Sequence, residues 1–149
     1  MFKRILLPVA LQGPRANEDT LEVALDFARR DGAELIVMHV LPGFGMPVVA
    51  SYFPASARET ATRETNEKLA EWVEQNIPAG IKVATTIGEG RAYEQILREA
   101  KQREIDLIVI RSQRLGKIGS FLLGSTAERV TRHAHCTVIV VRDWKNNRK

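Results

Sequence analysis

The sequence predicts an α/β protein with a mostly parallel, five-stranded sheet, and three observations support this fold class. Short apolar runs alternate with segments of helical periodicity along the 149 residues. Several runs are apolar at consecutive positions, as in strands that helices cover on both faces. Alternation of strands and helices is typical of a parallel sheet, in which each helix connects two strands by a right-handed crossover. No linker or internal repeat interrupts the pattern, so residues 1–149 are expected to form one domain.

The first half of the chain supplies two buried strands and two helices. Residues 3–11, KRILLPVAL, and 33–41, AELIVMHVL, are near-continuous apolar runs and are predicted as strands. Residues 18–30 place apolar side chains on one helical face, and Gly32 supplies a helix stop. A long helix is predicted over residues 57–76, with its apolar positions concentrated near its end.

The second half repeats the alternation. Residues 80–90, GIKVATTIGEG, alternate apolar and polar side chains, which predicts a strand with one more polar face. Residues 91–103 carry apolar side chains at helical spacing, and residues 105–111, IDLIVIR, form another buried run. The last helix is predicted over residues 125–134 and the last strand over residues 137–142.

Composition and charge argue against nucleic acids and membranes as partners. The net charge is +4, but much of the excess lies in the tail, residues 142–149, which is interpreted as a solvated end. The first apolar run is short, contains Pro8 and precedes no cleavage pattern, and no apolar stretch is long enough to cross a membrane. The single cysteine, Cys136, permits no internal disulfide and indicates a reducing compartment.

Three loops are candidates for function. Sheets of this kind bind ligands outside the carboxyl ends of the strands, where the strand order reverses. This rule selects the loop after the first strand, residues 8–17, and the stretch after the fourth strand, residues 111–124. Residues 42–56 are too many for a tight connection, so they are predicted to form a lid, an interface for a protein partner or a mobile loop.

The chain resembles the universal stress protein family over nearly its whole length. The matching segments are ILLPVA, AELIVMHVL, GEGRAYEQILREAKQREIDLIVI and LLGSTAERVTRHAHCTVIVVR. The resemblance implies a flavodoxin-like or Rossmann-like three-layer sandwich with strand order 3-2-1-4-5. It also implies a cytoplasmic homodimer joined through the last strand, residues 137–142, whose exposed edge is suited to pairing with a second copy.

The family contains members that bind ATP and members that do not, and this chain departs from the binding pattern. That pattern is Gly, two residues, Gly, nine residues, Gly, and then Ser or Thr. Aligned on LLGS, it ends at Gly124 and Ser125, while its first two glycines fall on Arg111 and Arg114. The aspartate that binders usually carry after the first strand is replaced by Ala10.

The two arginines leave two interpretations open. Glycine lets backbone N–H groups approach phosphate oxygens, whereas an arginine side chain fills that space. Arginine is nevertheless a good bidentate ligand for phosphate, and Lys117 and the start of the helix at Ser125 belong to the same loop. Arg111 and Arg114 are therefore either a cationic replacement for the glycine cradle or solvated loop charges.

Under the first interpretation, the expected ligand is ATP or another adenine nucleotide, with no metal beyond nucleotide-associated Mg²⁺. The expected binding residues lie on the two loops, the second strand and the last helix. They are Pro8, Val9, Ala10, Val40, Arg111, Arg114, Gly124, Ser125 and Thr126.

Some candidate residues also have purely structural explanations. Ser125 with Glu128 three residues later has the spacing of a capping box, and Gly124 suits a turn into the helix. The HAHC motif, residues 133–136, lacks the second ligand pair of a zinc site. His39 lies in a predicted buried strand and is interpreted as a hydrogen-bonded core residue.

The sequence contains no recognisable catalytic constellation. It has neither a Walker lysine nor a nucleophile elbow, so the protein is interpreted as a non-enzymatic stress-response or regulatory dimer. Three hypotheses remain: a sensor of nucleotides or anions, a ligand-free interaction module, and a slow ATP hydrolase. The intact Gly124–Ser125 pair and the cationic loop favour the sensor.

Overall fold

Strands and helices alternate along the described part of the chain. A computed structural model describes residues 1–13, 15–41, 43, 54–112 and 123–142. The strands are β1 (Arg4–Pro8), β2 (Glu34–Leu41), β3 (Val83–Glu89), β4 (Leu107–Arg111) and β5 (Thr137–Val141). The helices of these described residues are α1 (Glu18–Asp31), α2 (Ala55–Asn76), α3 (Ala92–Gln102) and α4 (Ser125–His133).

The five strands form one parallel sheet with the order β3-β2-β1-β4-β5. This order confirms the predicted fold class and the predicted 3-2-1-4-5 topology. β1 is central and pairs with both neighbours, so that Leu6 is in register with Ile36 of β2 and with Ile108 of β4. The order of the strands therefore reverses beside β1, between it and β4.

The sheet separates two hydrophobic cores. Successive side chains of a strand point to opposite faces, so Ile5 and Leu7 enter one core while Leu6 enters the other. α1 and α2 cover the first core through side chains such as Leu25 and Leu69. α3 and α4 cover the second. The three layers of the predicted sandwich are thus present, with helices on both faces of the sheet.

A glycine allows α3 to approach the sheet closely. A Cβ atom added at Gly88 of β3 would lie 2.8 Å from the Cβ of Gln95 and 2.8 Å from the Cε of Met38. Real Cβ atoms do not approach other heavy atoms this closely. Gly88 is therefore required by the packing of α3 on β2 and β3.

β1 is shorter than predicted. The apolar run covers residues 3–11, but the strand ends at Pro8. The backbone of Ala10 leaves the sheet because both of its polar groups bond to the side chain of Asn17.

Other boundaries move by one or two residues. β4 begins at Leu107 and not at residue 105, because the backbone N–H of Ile105 still bonds back to the Ala100 carbonyl of α3. α2 begins at Ala55, immediately after the extended Pro54, and not at residue 57. Most of the segment 42–56 lies outside the described residues.

Asp31 ties the start of the chain to the end of α1. Its carboxylate accepts hydrogen bonds from the Arg30 guanidinium at 2.8 and 3.0 Å and from the Phe2 backbone N–H at 2.8 Å. These two partners hold the pKa of Asp31 well below its ordinary value, the arginine contributing most. Gly32 follows with φ of 63°, so it ends α1 in the left-handed conformation as predicted.

Candidate functional site

A cleft opens at the carboxyl edge of the sheet, where the strand order reverses. It has a volume of about 460 Å³ and lies among the ends of β1, β2 and β4 and the first turn of α4. Its walls are largely apolar and include Pro8, Val40, Ile96 and Ile110. Both the position and the volume are typical of small-molecule sites in parallel α/β sheets, whose volumes span about 300–1,000 Å³.

A larger but more open concavity of about 610 Å³ lies along α2. Its lining mixes both signs of charge, and the Glu89 carboxylate there is already engaged by Arg58 at 3.2 Å and by the Thr62 hydroxyl at 3.1 Å. It is not at the switch point of the sheet. The smaller cleft is therefore the better candidate for a ligand site.

Asn17 closes the base of the loop between β1 and α1. Its Oδ1 accepts a hydrogen bond of 2.9 Å from the Ala10 N–H, and its Nδ2 donates one of 2.6 Å to the Ala10 carbonyl. The Ala10 N–H can only donate, so this pairing fixes the orientation of the amide. Asn17 also precedes α1, but its side chain makes no capping bond, because it is turned toward Ala10.

Arg111 connects the end of β4 to the same loop. Its Nη1 donates a hydrogen bond of 3.0 Å to the carbonyl of Ala16, a residue 95 positions earlier in the chain. Both residues line the cleft. The backbone beside Arg111 is also anchored, because the N–H of Ser112 donates to the Val141 carbonyl at 2.9 Å. The guanidinium is therefore held at the mouth of the cleft.

His39 has a structural hydrogen bond. Its Nδ1 lies 2.9 Å from the carbonyl oxygen of Val9. Because a carbonyl only accepts, Nδ1 carries the hydrogen in this bond. The ring links the ends of β1 and β2, and the predicted hydrogen bond of His39 is present. His39 is only partly buried, however, and it lines the cleft rather than the core.

The first turn of α4 forms one end of the cleft, but its cap differs from the prediction. Gly124 occupies the N-cap position with φ of 88°, and it has no side chain that could cap the helix. The predicted capping box is therefore wrong: Ser125 is already the first helical residue, and the Glu128 carboxylate instead binds Arg132 at 2.7 Å. A side chain with a Cβ rarely adopts the φ of Gly124, so the backbone itself accounts for this glycine.

A helix start with glycine at its N-cap is compatible with an anion. The first N–H groups of a helix have no partner within the helix, and the helix dipole favours negative charge at that end. Thr126 and Ala127 of this turn line the cleft. Together with the Arg111 guanidinium, they place hydrogen-bond donors and positive charge at one end of an apolar cavity.

The structure brings most of the expected ligand residues together. Six of them line the cleft: Pro8, Val9, Ala10, Val40, Arg111 and Thr126. Gly124 and Ser125 stand at the start of α4 beside it, outside the lining. Arg114 and Lys117 lie outside the described residues.

Sequence reasoning missed Asn17 and Ala16. Asn17 does carry a sequence signal, because asparagine before an acidic first turn is typical of a helix N-cap. That signal predicts the wrong partner here. Nothing in the sequence indicates that Ala16 would accept a bond from Arg111.

The HAHC segment shows no metal-site geometry. Among the residues that the structure describes, no group of three or more His, Cys, Asp and Glu side chains is placed to hold a metal ion. Burial raises the pKa of the Cys136 thiol, which disfavours the thiolate that metals prefer.

The fold and cleft define an α/β protein with a ligand-type cavity at the switch point of its sheet. The sequence model of the universal stress protein family matches residues 1–142, so the chain belongs to this family. Universal stress protein MJ0531 of Methanocaldococcus jannaschii is 30% identical over 148 residues, which cover 97% of this chain and 85% of that protein. Universal stress protein YxiE of Bacillus subtilis is 27% identical, with 95% of this chain and all of that protein covered.

Solved structures agree with the fold. Hypothetical protein MJ0577 superimposes with a TM-score of 0.76 at 25% identity, covering 95% of this chain and 96% of that one. A universal stress protein in complex with cAMP has a TM-score of 0.60 at 19% identity, with 95% and 97% of the two chains covered. The Archaeoglobus fulgidus universal stress protein in complex with dAMP has a TM-score of 0.62 at 22% identity, with 93% and 97% covered.

Within the described residues, no helix has both the length and the apolar character needed to cross a bilayer.

Proposed function

We propose that this protein is a non-enzymatic stress-response regulator that binds an adenine nucleotide, or a related phosphate-bearing ligand, in the cleft beside β1. One observation carries the proposal: the apolar cavity at the switch point ends in the Arg111 guanidinium and the start of α4, whose N-cap is a glycine. The structures with bound cAMP and dAMP support this choice of ligand only through the shared fold. The apolar walls of the cleft and its hydrogen-bond donors supply the remaining support for this ligand.

The described residues fit such a ligand in two parts. The side chains of Val40, Ile96 and Ile110 offer apolar surface for a flat base. The N–H groups at the start of α4, the Thr126 hydroxyl and Arg111 offer donors for phosphate oxygens. We propose Arg114, which lies outside the described residues, as a further phosphate ligand. Mg²⁺ would enter only with the phosphates of a bound nucleotide.

Isothermal titration with ATP, AMP and inorganic phosphate tests this proposal. We expect micromolar binding of a nucleotide to the wild-type protein and its loss in Arg111→Glu and in Arg114→Glu, because each variant reverses a charge beside the phosphate. Arg98→Glu on the exposed face of α3 is the matched control and should bind as the wild type does. No heat and no shift in melting temperature with any of the three ligands would refute the proposal and leave a ligand-free interaction module.

We further propose that residues 1–149 act as one cytoplasmic domain that forms a homodimer through β5. The support is topological, because β5 is the last strand of the sheet and pairs only with β4 in the described structure. An edge strand exposes unpaired backbone groups that a second copy could bond. Sedimentation velocity should give a dimer at micromolar concentration, and a monomer at every concentration would contradict this part of the proposal.

A second protein partner and the absence of catalysis complete the proposal. We place the partner at the segment 42–56, most of which lies outside the described residues. We propose that the described lining supplies no general base for hydrolysis: it contains no carboxylate, and its histidine, His39, is a structural residue bonded through Nδ1 to the Val9 carbonyl. Phosphate release from ATP should therefore not exceed the background of a mock purification. Release that rises in proportion to the protein would favour the slow hydrolase instead.

A further inference from the structure

We propose that His39 is a positioning residue of the cleft: by binding the Val9 carbonyl, its ring keeps the backbone N–H of Val40 open to a ligand. This inference rests on the proposed function, because the ligand that uses this N–H is the ligand of that site. It gives the hydrogen bond of the ring a part in how the site is kept ready for binding.

The first argument is the direction of the backbone groups along β2. Successive residues of a strand turn their N–H and carbonyl groups to alternate sides, so a strand inside a sheet bonds to its two neighbours in turn. Met38 turns to β1, because its carbonyl accepts the Val9 N–H at 2.8 Å. Leu41 turns to β3, because its carbonyl accepts the Gly90 N–H at 3.0 Å. Val40, two residues after Met38, therefore turns its N–H to the β1 side.

The second argument is where the pairing of β1 with β2 stops. The register ends at Pro8 and Met38. The next pair needs the Val9 N–H to bond to Met38, which it does, and the Val40 N–H to bond to the Val9 carbonyl. The described ladder lacks this second bond. The Val9 carbonyl instead accepts the Nδ1–H of His39 at 2.9 Å.

The third argument is burial. Val9 is 6% exposed, and buried carbonyl groups nearly always have a hydrogen-bond partner. The adjacent part of β2 supplies two donors for this carbonyl, the His39 ring and the Val40 N–H. Because the ring takes the carbonyl, the Val40 N–H is left to the cleft, which Val40 lines. Without the ring, the Val40 N–H is the donor that completes the next pair and closes the fork between the strands.

Amide exchange followed residue by residue with NMR tests the open N–H without any ligand. In the wild type, the Val40 amide should exchange about tenfold faster than the Met38 amide, which lies inside the paired part of β2. His39→Ala should slow the Val40 amide about tenfold, because that N–H then pairs with Val9. His39→Asn keeps a donor near the position of Nδ1 and should behave as the wild type does. His135→Ala, at an exposed histidine outside the cleft lining, is the matched control.

Titration calorimetry with AMP as the probe tests what the N–H does. The affinity for AMP should fall about tenfold in His39→Ala, and it should stay within about threefold of the wild type in His39→Asn and His135→Ala. Saturating AMP should also slow the exchange of the Val40 amide in the wild type, because the ligand then accepts its hydrogen. A histidine with a structural role alone would change the melting temperature without producing this pattern.

The outcomes separate this inference from the proposed function. If the Val40 amide of the wild type exchanges as slowly as that of Met38, the N–H is not open and the inference is wrong; this comparison needs no variant to fold. If His39→Ala leaves the exchange of Val40 unchanged, the ring does not keep the N–H open. If AMP binds His39→Ala as tightly as the wild type, the nucleotide site stands and the positioning role is wrong. If AMP gives no heat with the wild type, the proposed function fails, and the role of His39 toward a ligand fails with it.

Discussion

The bond between Asn17 and Ala10 gives the sharpest prediction about stability. Asn17→Ala removes two hydrogen bonds of 2.9 and 2.6 Å from a side chain that is 9% exposed. Each such bond contributes about 0.5–1.5 kcal/mol net. Ala10 itself is exposed, so water can reach its freed N–H and carbonyl and no further desolvation cost is added. The expected loss in the free energy of unfolding is therefore about 1–3 kcal/mol.

Urea denaturation followed by circular dichroism measures this loss. For a chain of this size, each kcal/mol lowers the melting temperature by about 2–4 °C. Asn66→Ala on the exposed face of α2 is the matched control and should change stability by less than about 0.5 kcal/mol. If Asn17→Ala loses no more stability than Asn66→Ala, the bonds to Ala10 do not hold the loop and the reasoning is refuted.

Asn17→Asp refines the test because it nearly preserves shape. The carboxylate can still accept from the Ala10 N–H, but its second oxygen faces the Ala10 carbonyl where Asn17 has a donor. That repulsion disfavours the charged form, so the folded-state pKa of the new carboxyl should lie above its unfolded value. The variant should therefore be less stable than the wild type at neutral pH. It should recover part of the difference as the pH falls and the carboxyl becomes protonated.

Two further predictions concern packing and pH. Gly88→Ala should lower stability by about 1–3 kcal/mol in urea denaturation, because its Cβ would meet Gln95 and Met38 at 2.8 Å, and an unchanged midpoint would contradict the close packing of α3. Asp31→Asn should be less stable than the wild type at pH 7. The folded pKa of Asp31 is depressed, so its contribution is present above the unfolded pKa of about 3.9 and is lost as the pH falls through the folded value. The deficit of the variant should shrink accordingly in acid, and a deficit independent of pH would show that the Asp31 charge is not involved.

The sequence predicted the elements because each has a strong local pattern. The apolar runs that became β1, β2 and β4 are buried on both faces, and the helical spacing of residues such as Ile96 and Ala100 matches their burial. Burial and periodicity are properties of neighbouring residues, so they can be read without knowledge of distant contacts. The strand order came from the family resemblance.

Predictions failed where a residue had a choice of partners. The Ser125–Glu128 spacing is that of a capping box, but the glycine before it takes the N-cap, and Arg132 one turn later takes the carboxylate. The strand of residues 3–11 was predicted too long because the run is apolar beyond Pro8, whereas the backbone of Ala10 bonds to Asn17 across the loop. Which partner a residue takes depends on three-dimensional geometry, which the order of residues along the chain does not contain.

The sequence predicted the position of the candidate site but not the contacts between its residues. The general rule for parallel sheets selected both loops, and the cleft lies between them. The contact between Arg111 and Ala16 could not be foreseen, because it joins residues 95 positions apart. The structure shows that this arginine bonds to the β1–α1 loop, whereas its binding to phosphate stays a prediction.

The central position of β1 has a consequence for how the protein is made. β1 is synthesised before both of its neighbours, and one of them, β4, begins about 100 residues later. Chains grow at about 5–20 residues per second, so this side of β1 stays unpaired for seconds on the ribosome. The cleft needs the first turn of α4 as well, so it forms only after that helix has been synthesised. A ligand of this cleft therefore cannot assist the pairing of β1 with β4, and until β4 emerges the unpaired edge of β1 can pair with another chain instead.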